Sequence, residues 1–374
     1  MKKRELSVFG GTTTRAGLVA GVLALAVFTL ARTEPWLVER IYGRILYPPI
    51  ASALAFVSAR APFSIVDSVI ACLALLAIVL PWRFWRRARA ASHSRVFAIG
   101  GSVVRLAALL GAAWSLFLVV WGFNYLRPSA ASLLHVPAPE RDAVAPIVAN
   151  VESRLDALRE ALPEDVNGVV LMPEDIEELD RHVSFLQESV FSELDIPIPH
   201  GARTKPLLVS PLSRRWGVSG FYGPFTAEPT IVMPPLPAQL PMTLAHERAH
   251  FAGIASEDAA TFFAMLTLWR SDRPSLRYAA WLDLWMKLRR PIDARHPGVE
   301  RDVRAIQQHI ERYRGFERDA MWRLYDRGLK AHGVREGTRS YSRAAPLALA
   351  YLADRGFPED ALDEGDERES AAGP

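Results

Sequence analysis

No charged side chain occurs between Ala16 and Ala31 or between Leu106 and Leu126, and only Asp67 interrupts the apolar run from Ser64 to Trp82. Stretches of this length and composition are poorly matched to a water-exposed helix and well matched to a bilayer core. Transmembrane helices are therefore expected near 14–32, 64–82 and 105–126. The remaining chain divides into a domain over 128–357 and an acidic, small-residue tail over 358–374, the tail being too polar to hold a packed structure.

Lys2, Lys3, Arg4 and Arg15 precede the first apolar run as they would in a signal peptide, but no small-residue cleavage site follows, so this helix is expected to be retained. Thr12 to Thr14, with snorkelling Arg15 and Arg32, extends it to spanning length. Trp36 to Pro62 is apolar with scattered arginines and contains Pro48-Pro49, which reads as an interfacial or re-entrant segment. Asp67 reads as a helix-end residue at the interface. Arg83, Arg86, Arg87, Arg89 and Arg95 follow the second span with no acid among them. The positive-inside rule places that loop and the amino terminus in the cytoplasm, and three crossings then put the domain outside it. The expectation is a multi-pass inner-membrane protein with an extracytoplasmic domain.

Beyond Pro128 the pattern is mainly helical. Glu140 to Leu162 and Pro173 to Leu194 read as a helical pair packed on the core, and Leu276 to Leu288, Val299 to Tyr313 and Phe316 to Lys330 read as further helices, with a last one reaching about Leu352. Pro206 to Ser210 and Thr230 to Met233 are short β-like runs around the glycine-rich Trp216 to Phe225, the expected edge strand of a small sheet. The single Cys72 excludes a disulfide framework and a thiolate metal site. A net charge of +3 gives no basis for a nucleic-acid partner. Oligomeric state is left open.

His246-Glu247-Arg248-Ala249-His250 is the H-E-x-x-H pattern. On a helix the two histidines, four residues apart, share a face and can bind one Zn²⁺, while the glutamate reaches the water in the open position. Gly253 should end this helix, Ser256 should N-cap the next one, and the hairpin between them should bring Glu257 back to the histidines. Glu257 is the expected third ligand; Asp258 competes for the role, and Ser256 is a poor zinc ligand. Glu247 is the expected general base, and Tyr222 and Tyr341 are the candidate oxyanion donors. The other histidines lack ligand spacing.

Trp121 to Arg127, Gly220 to Thr226, His246 to Phe262 and Leu329 to Tyr341 together resemble the bacterial membrane family known as domain of unknown function 3810. The likeness runs from the second span to about Leu352. That family looks like a group of gluzincin-type zinc peptidases, so the resemblance implies a membrane-anchored zinc metallopeptidase with a zincin-like domain, acting on a peptide or protein substrate next to a lipid bilayer. Glu257-Asp-Ala-Ala-Thr261 also resembles the E-x-x-A-D/N motif of gluzincin membrane proteases such as the CAAX prenyl protease type. That likeness implies a zinc ligand at Glu257 and a supporting partner for a metal histidine at Thr261. Ala259 and Thr261 depart from the Glu and Asn usual in the unknown-function family. The competing expectation is a non-enzymatic membrane protein that keeps a structural zinc site as a binding or regulatory module.

Overall fold

A computed structural model describes residues 11–90, 95–172, 175–288, 296–332 and 343–358. Its three long apolar helices are α1 (Thr12–Ala31), α4 (Ile65–Ala90) and α5 (Arg95–Val120). Each contains a stretch long and apolar enough to cross a membrane: Thr12–Ala31, Ile65–Arg83 and Gly100–Val120. α1 and α5 lie against one another through small residues. A Cβ at Gly21 would stand 2.9 Å from the Gly111 Cα, and one at Gly17 would stand 2.5 Å from the Ala108 carbonyl oxygen. Only glycine permits that approach, the usual device for joining helices where lipid offers no hydrophobic drive.

Between the first two spans the chain does not break at Pro48-Pro49. It runs as α2 (Pro35–Val38), a π-helical stretch (Glu39–Leu46) and α3 (Tyr47–Ser58), with the prolines in the first turn of α3. Proline is tolerated there because first-turn amides have no intrahelical acceptor. The polar groups of this segment turn toward the domain. Arg127 donates to Glu39 Oε2 at 2.6 Å and to the Gly253 carbonyl at 2.9 Å, which ties the segment to the loop after the H-E-x-x-H helix. Tyr47, fully buried, donates to the Phe251 carbonyl at 2.9 Å. At the top of α4, Glu228 accepts from the Ile65 and Val66 amides at 3.2 and 2.9 Å, and Lys205 Nζ pairs with it at 2.8 Å. A buried ion pair with its remaining lone pairs satisfied holds its geometry tightly. Asp67 accepts the Leu208 and Val209 amides, so it pins a domain loop to the helix end.

The domain is built around α10 (Leu240–Phe251) and α11 (Glu257–Trp269), which are buried on nearly every face. Such helices need partners all round. α8 (Ile176–Glu193) packs on both, and Gln187 donates to the Ala245 carbonyl at 2.9 Å. α12 (Pro274–Lys287) covers α11, with Trp269 and Trp281 stacked at 4.4 Å, and α15 (Ala344–Arg355) closes the far side. α7 (Arg141–Ala161) packs on α12 and α15, so both it and α8 lie on the core as their periodicity suggested, each mainly against different helices of it.

Among the described residues the domain has three short strands, β1 (Lys205–Pro206), β2 (Gly220–Gly223) and β3 (Glu228–Ile231), in the order β1-β3-β2. β1 and β3 run parallel, and β2 is antiparallel to β3 with Gly220 opposite Ile231 and Gly223 opposite Glu228. β2 is therefore an edge, and it lies on α10. α6 (Ala130–Leu134) precedes α7, α9 (Ser210–Arg215) lies between β1 and β2, and α13 (Pro297–Tyr313) and α14 (Arg318–Ala331) follow α12.

Candidate metal centre

α10 ends in a two-bond reversal. The Ile254 amide reaches the Ala249 carbonyl at 3.1 Å, the Gly253 amide reaches His250 at 2.8 Å, and Gly253 takes φ +87°. This is the Schellman arrangement, which needs the left-handed conformation that glycine adopts freely. A Cβ at Gly253 would also stand 2.8 Å from Arg127 Nη1 and from Tyr47 Cε1, so the turn is fixed by conformation and by packing. Ser256 occupies the N-cap position of α11, but its side chain makes no capping bond.

The reversal brings Glu257 onto the histidines. Glu257 Oε2 is 3.1 Å from His246 Nε2 and 3.4 Å from His250 Nε2, and one ligand atom from each of the three residues lies within 4.8 Å of the others. Tetrahedral bonds of about 2.0 Å to nitrogen and oxygen imply ligand–ligand edges of roughly 3.3 Å. The donor set therefore fits a small divalent ion. The atoms facing away from that point have partners: His250 Nδ1 lies 2.7 Å from the Ile254 carbonyl, His246 Nδ1 lies 3.2 Å from Thr261 Oγ1, and the Tyr325 hydroxyl donates to Glu257 Oε1. The Ile254 carbonyl can only accept, so it fixes the proton of His250 on Nδ1, and the three outer contacts together leave Nε2, Nε2 and Oε2 for an ion.

Glu247 is buried beside this group and under the edge strand. A Cβ at Gly220 would stand 2.6 Å from Glu247 Oε1, so only a residue without a side chain lets β2 pass this close. Burial pushes the Glu247 carboxyl up to about 8, with Glu257 adding to the rise. Burial lowers His246. It opposes charge on His250 too, but the Glu257 and Glu247 carboxylates outweigh it and raise that imidazole to about 9. Burial likewise disfavours the Glu257 carboxylate, and the two histidines overcome it and hold the group well below the usual range. The site thus sets two carboxyl groups and two imidazoles together away from bulk solvent, where each one's protonation depends on the others and a bound cation would favour the ionised carboxylates and neutral imidazoles. It opens into a cavity of about 500 Å³ that Trp121, Tyr125, Trp216, Phe221, Trp322 and Tyr325 line in large part.

The family described as Protein of unknown function (DUF3810) matches residues 42–349. This chain belongs to it. No curated protein and no solved structure matches the chain. The part shared with the DUF3810 family begins in the π-helical stretch and ends in α15, so it includes α4, α5, the Arg127–Gly253 contact and the whole centre, and leaves α1 and Glu39 outside.

Of the residues singled out in this DUF3810 chain by sequence, His246, Glu247, His250 and Glu257 converge, and Asp258 does not join the ligand cluster. Tyr222 lines the cavity, but its hydroxyl lies 3.1 Å from that of Tyr47, whose own proton goes to Phe251. A hydroxyl has one proton to give, so Tyr222 donates to Tyr47 in this arrangement and not into the cavity. Tyr341 and the tail over 359–374 lie outside the described residues. Tyr325 was not legible beforehand. It stands 68 positions from Glu257 on an amphipathic helix, with no motif around it.

Proposed function

We propose that this chain is a membrane-anchored zinc metallopeptidase with a zincin-like domain, in which His246, His250 and Glu257 hold the ion and Glu247 is the general base. The convergence of the three ligand atoms beside a buried glutamate, at the end of a cavity, is the observation that carries the reading. When bound, Zn²⁺ supplies Lewis acidity to the scissile carbonyl, acidifies a water and favours the ionised form of Glu247. Glu247 takes a proton from the attacking water and delivers it to the leaving amine as the C–N bond breaks. Thr261 and the Ile254 carbonyl orient the two imidazoles, and Tyr325 restrains the carboxylate that completes the set. β2, held against Glu247 through Gly220, offers an edge on which an extended chain can lie.

The basic side chains Arg83, Arg86 and Arg89 at the far end of α4 support a domain outside the cytoplasm. An active carboxy-terminal alkaline phosphatase fusion with a dark fluorescent-protein counterpart is the expected pair of results for that placement. For the chemistry, the purified chain should contain about one zinc. Glu247→Gln should keep that zinc and lose peptide hydrolysis. Retained zinc with undiminished hydrolysis would overturn the general-base assignment.

A further inference from the structure

The height of the centre relative to the membrane is set by a short series of contacts. Glu228 of β3 holds the Ile65 and Val66 amides at the start of α4, and it pairs with Gly223 at one end of β2. Gly223 in turn rests on the span itself: a Cβ there would stand 2.4 Å from Val66 Cγ2. The other end of β2, Gly220, touches Glu247. Three residue steps of a strand cover roughly 10 Å. The general base thus lies one short strand from the first turn of a membrane helix.

The cavity carries the same message. Ile70 lines it, five residues into α4, which places that side chain roughly 7 Å down the helix axis inside the apolar stretch Ile65–Arg83. Trp121 and Tyr125, which follow immediately on the span Gly100–Val120, form part of the wall as well. Leu208, whose amide Asp67 of α4 holds, is 73% exposed, and Phe221 and Phe225 of the edge-strand loop are 44% and 40% exposed. An apolar and aromatic rim at this level suits the interface between lipid and water. Among the described residues the outer edge of β2 carries no partner strand.

We propose that the occupant of this cavity is the juxtamembrane stretch of a membrane-anchored polypeptide, lying along β2 with the bond to be cut within about four residues of the bilayer face. The proposal rests on the hydrolytic reading for the cutting step, in which water adds OH to the carbonyl carbon and H to the amine nitrogen with no further reactant. It rests on geometry alone for where the substrate lies.

The test uses the full chain, zinc-loaded, in vesicles of phosphatidylethanolamine and phosphatidylglycerol. One degenerate peptide segment is presented in three ways: fused directly to a single membrane helix, fused through a glycine-serine spacer of about 20 residues, whose reach is roughly 25 Å, and free in solution. Both fused forms are confined to the membrane, so their ratio reports height and not mere recruitment. The directly fused segment should be cut at least about tenfold faster than the spaced one, with the cuts mapped by mass spectrometry to within about four residues of the helix. Equal rates, or cuts that cluster far from the helix, would overturn the proposal. If no form is cut, the hydrolytic reading fails, and placement is then read with a photo-crosslinking residue at Phe221 in the Glu247→Gln chain. Preferential labelling of the directly fused segment by about tenfold upholds the juxtamembrane site, and equal labelling of direct and spaced segments removes it.

Discussion

The hairpin of α10 and α11 and the helix α14 both reach the centre, the first with the histidines and Glu257, the second with Tyr325. Their surroundings differ sharply. Every residue of α11 except Asp258 is buried, whereas Leu329 is the one buried residue of α14. Ligands that must meet within a few ångströms sit where packing on all sides removes alternatives, and the residue that braces them comes from a helix lying on the surface. Polar contacts hold the start of α14: Trp322 donates to the Trp216 carbonyl at 2.7 Å, and Arg215 pairs with Glu317 at 2.7 Å at the surface. Solvent screens exposed pairs of this kind, so they hold an element only weakly. One wall of the cavity is therefore core, and another is a largely exposed helix.

Stability measurements separate the two walls most widely. Phe263 is fully buried in α11 with its ring 4.9 Å from that of Phe191, so Phe263→Ala should cost about 3–5 kcal/mol in denaturant unfolding of the detergent-solubilised chain. Phe316, at the approach to α14, is 94% exposed, and Phe316→Ser should stay within about 0.5 kcal/mol. Comparable losses from both would show that α14 is part of the cooperative core, and the contrast would fail.

Metal binding gives the next largest effect. Glu257→Ala removes the residue whose Oε2 faces both imidazoles, and zinc affinity should fall by more than about a hundredfold, beyond what loss of a supporting partner alone does. Competition titration with a chelator reads this directly. Undiminished affinity would remove Glu257 from the set and leave the hairpin with no third ligand.

What sequence could and could not say follows from the range of each interaction. His246, His250, Gly253 and Glu257 fall within twelve residues, and helix period, a left-handed glycine and a first-turn carboxylate are local rules, so this part of the centre was readable. The three spans were readable for a similar reason, since absence of charge over some twenty residues needs no knowledge of neighbours. Arg127 and Glu39 lie 88 positions apart, and nothing in either neighbourhood announces the other. Gly220 was readable as part of a glycine-rich edge strand, but not that its missing side chain is what lets β2 cross Glu247. Pro48-Pro49 suggested a break because a proline pair in isolation disfavours helix continuation. The π-helical stretch before it instead places both prolines in a first turn, a tertiary outcome fixed by Tyr47 and Arg127.

Tyr325→Phe probes the surface wall by deleting one oxygen. The phenol donates to Glu257 Oε1, the carboxylate oxygen turned away from the histidines. Without that bond the carboxylate can rotate, and zinc affinity should drop by about tenfold, at the low end of what supporting partners contribute. The thermal midpoint of the metal-free chain should not move, because Tyr325 is 40% exposed and leaves no cavity behind when trimmed. An unchanged zinc affinity would mean that core packing alone orients Glu257, and the surface helix would then have no part in the centre.

Asp258→Ala should have the smallest effect and make the finest distinction within the buried wall. Asp258 follows Glu257 directly in the first turn of α11, and successive side chains on a helix point about 100° apart. With Glu257 facing the histidines, Asp258 is turned out of the cluster, and it alone in α11 is not buried. What it does contribute is a negative charge at a helix N-terminus, worth about 0.3–1 kcal/mol and weakened by salt. Asp258→Ala should therefore lower stability by that amount in dilute buffer, by less in concentrated salt, and leave zinc affinity where it was. Loss of zinc from this variant would mean that the turn after Gly253 delivers the neighbouring carboxylate to the histidines, and the register that separates a ligand from a surface charge would have to be redrawn by one residue.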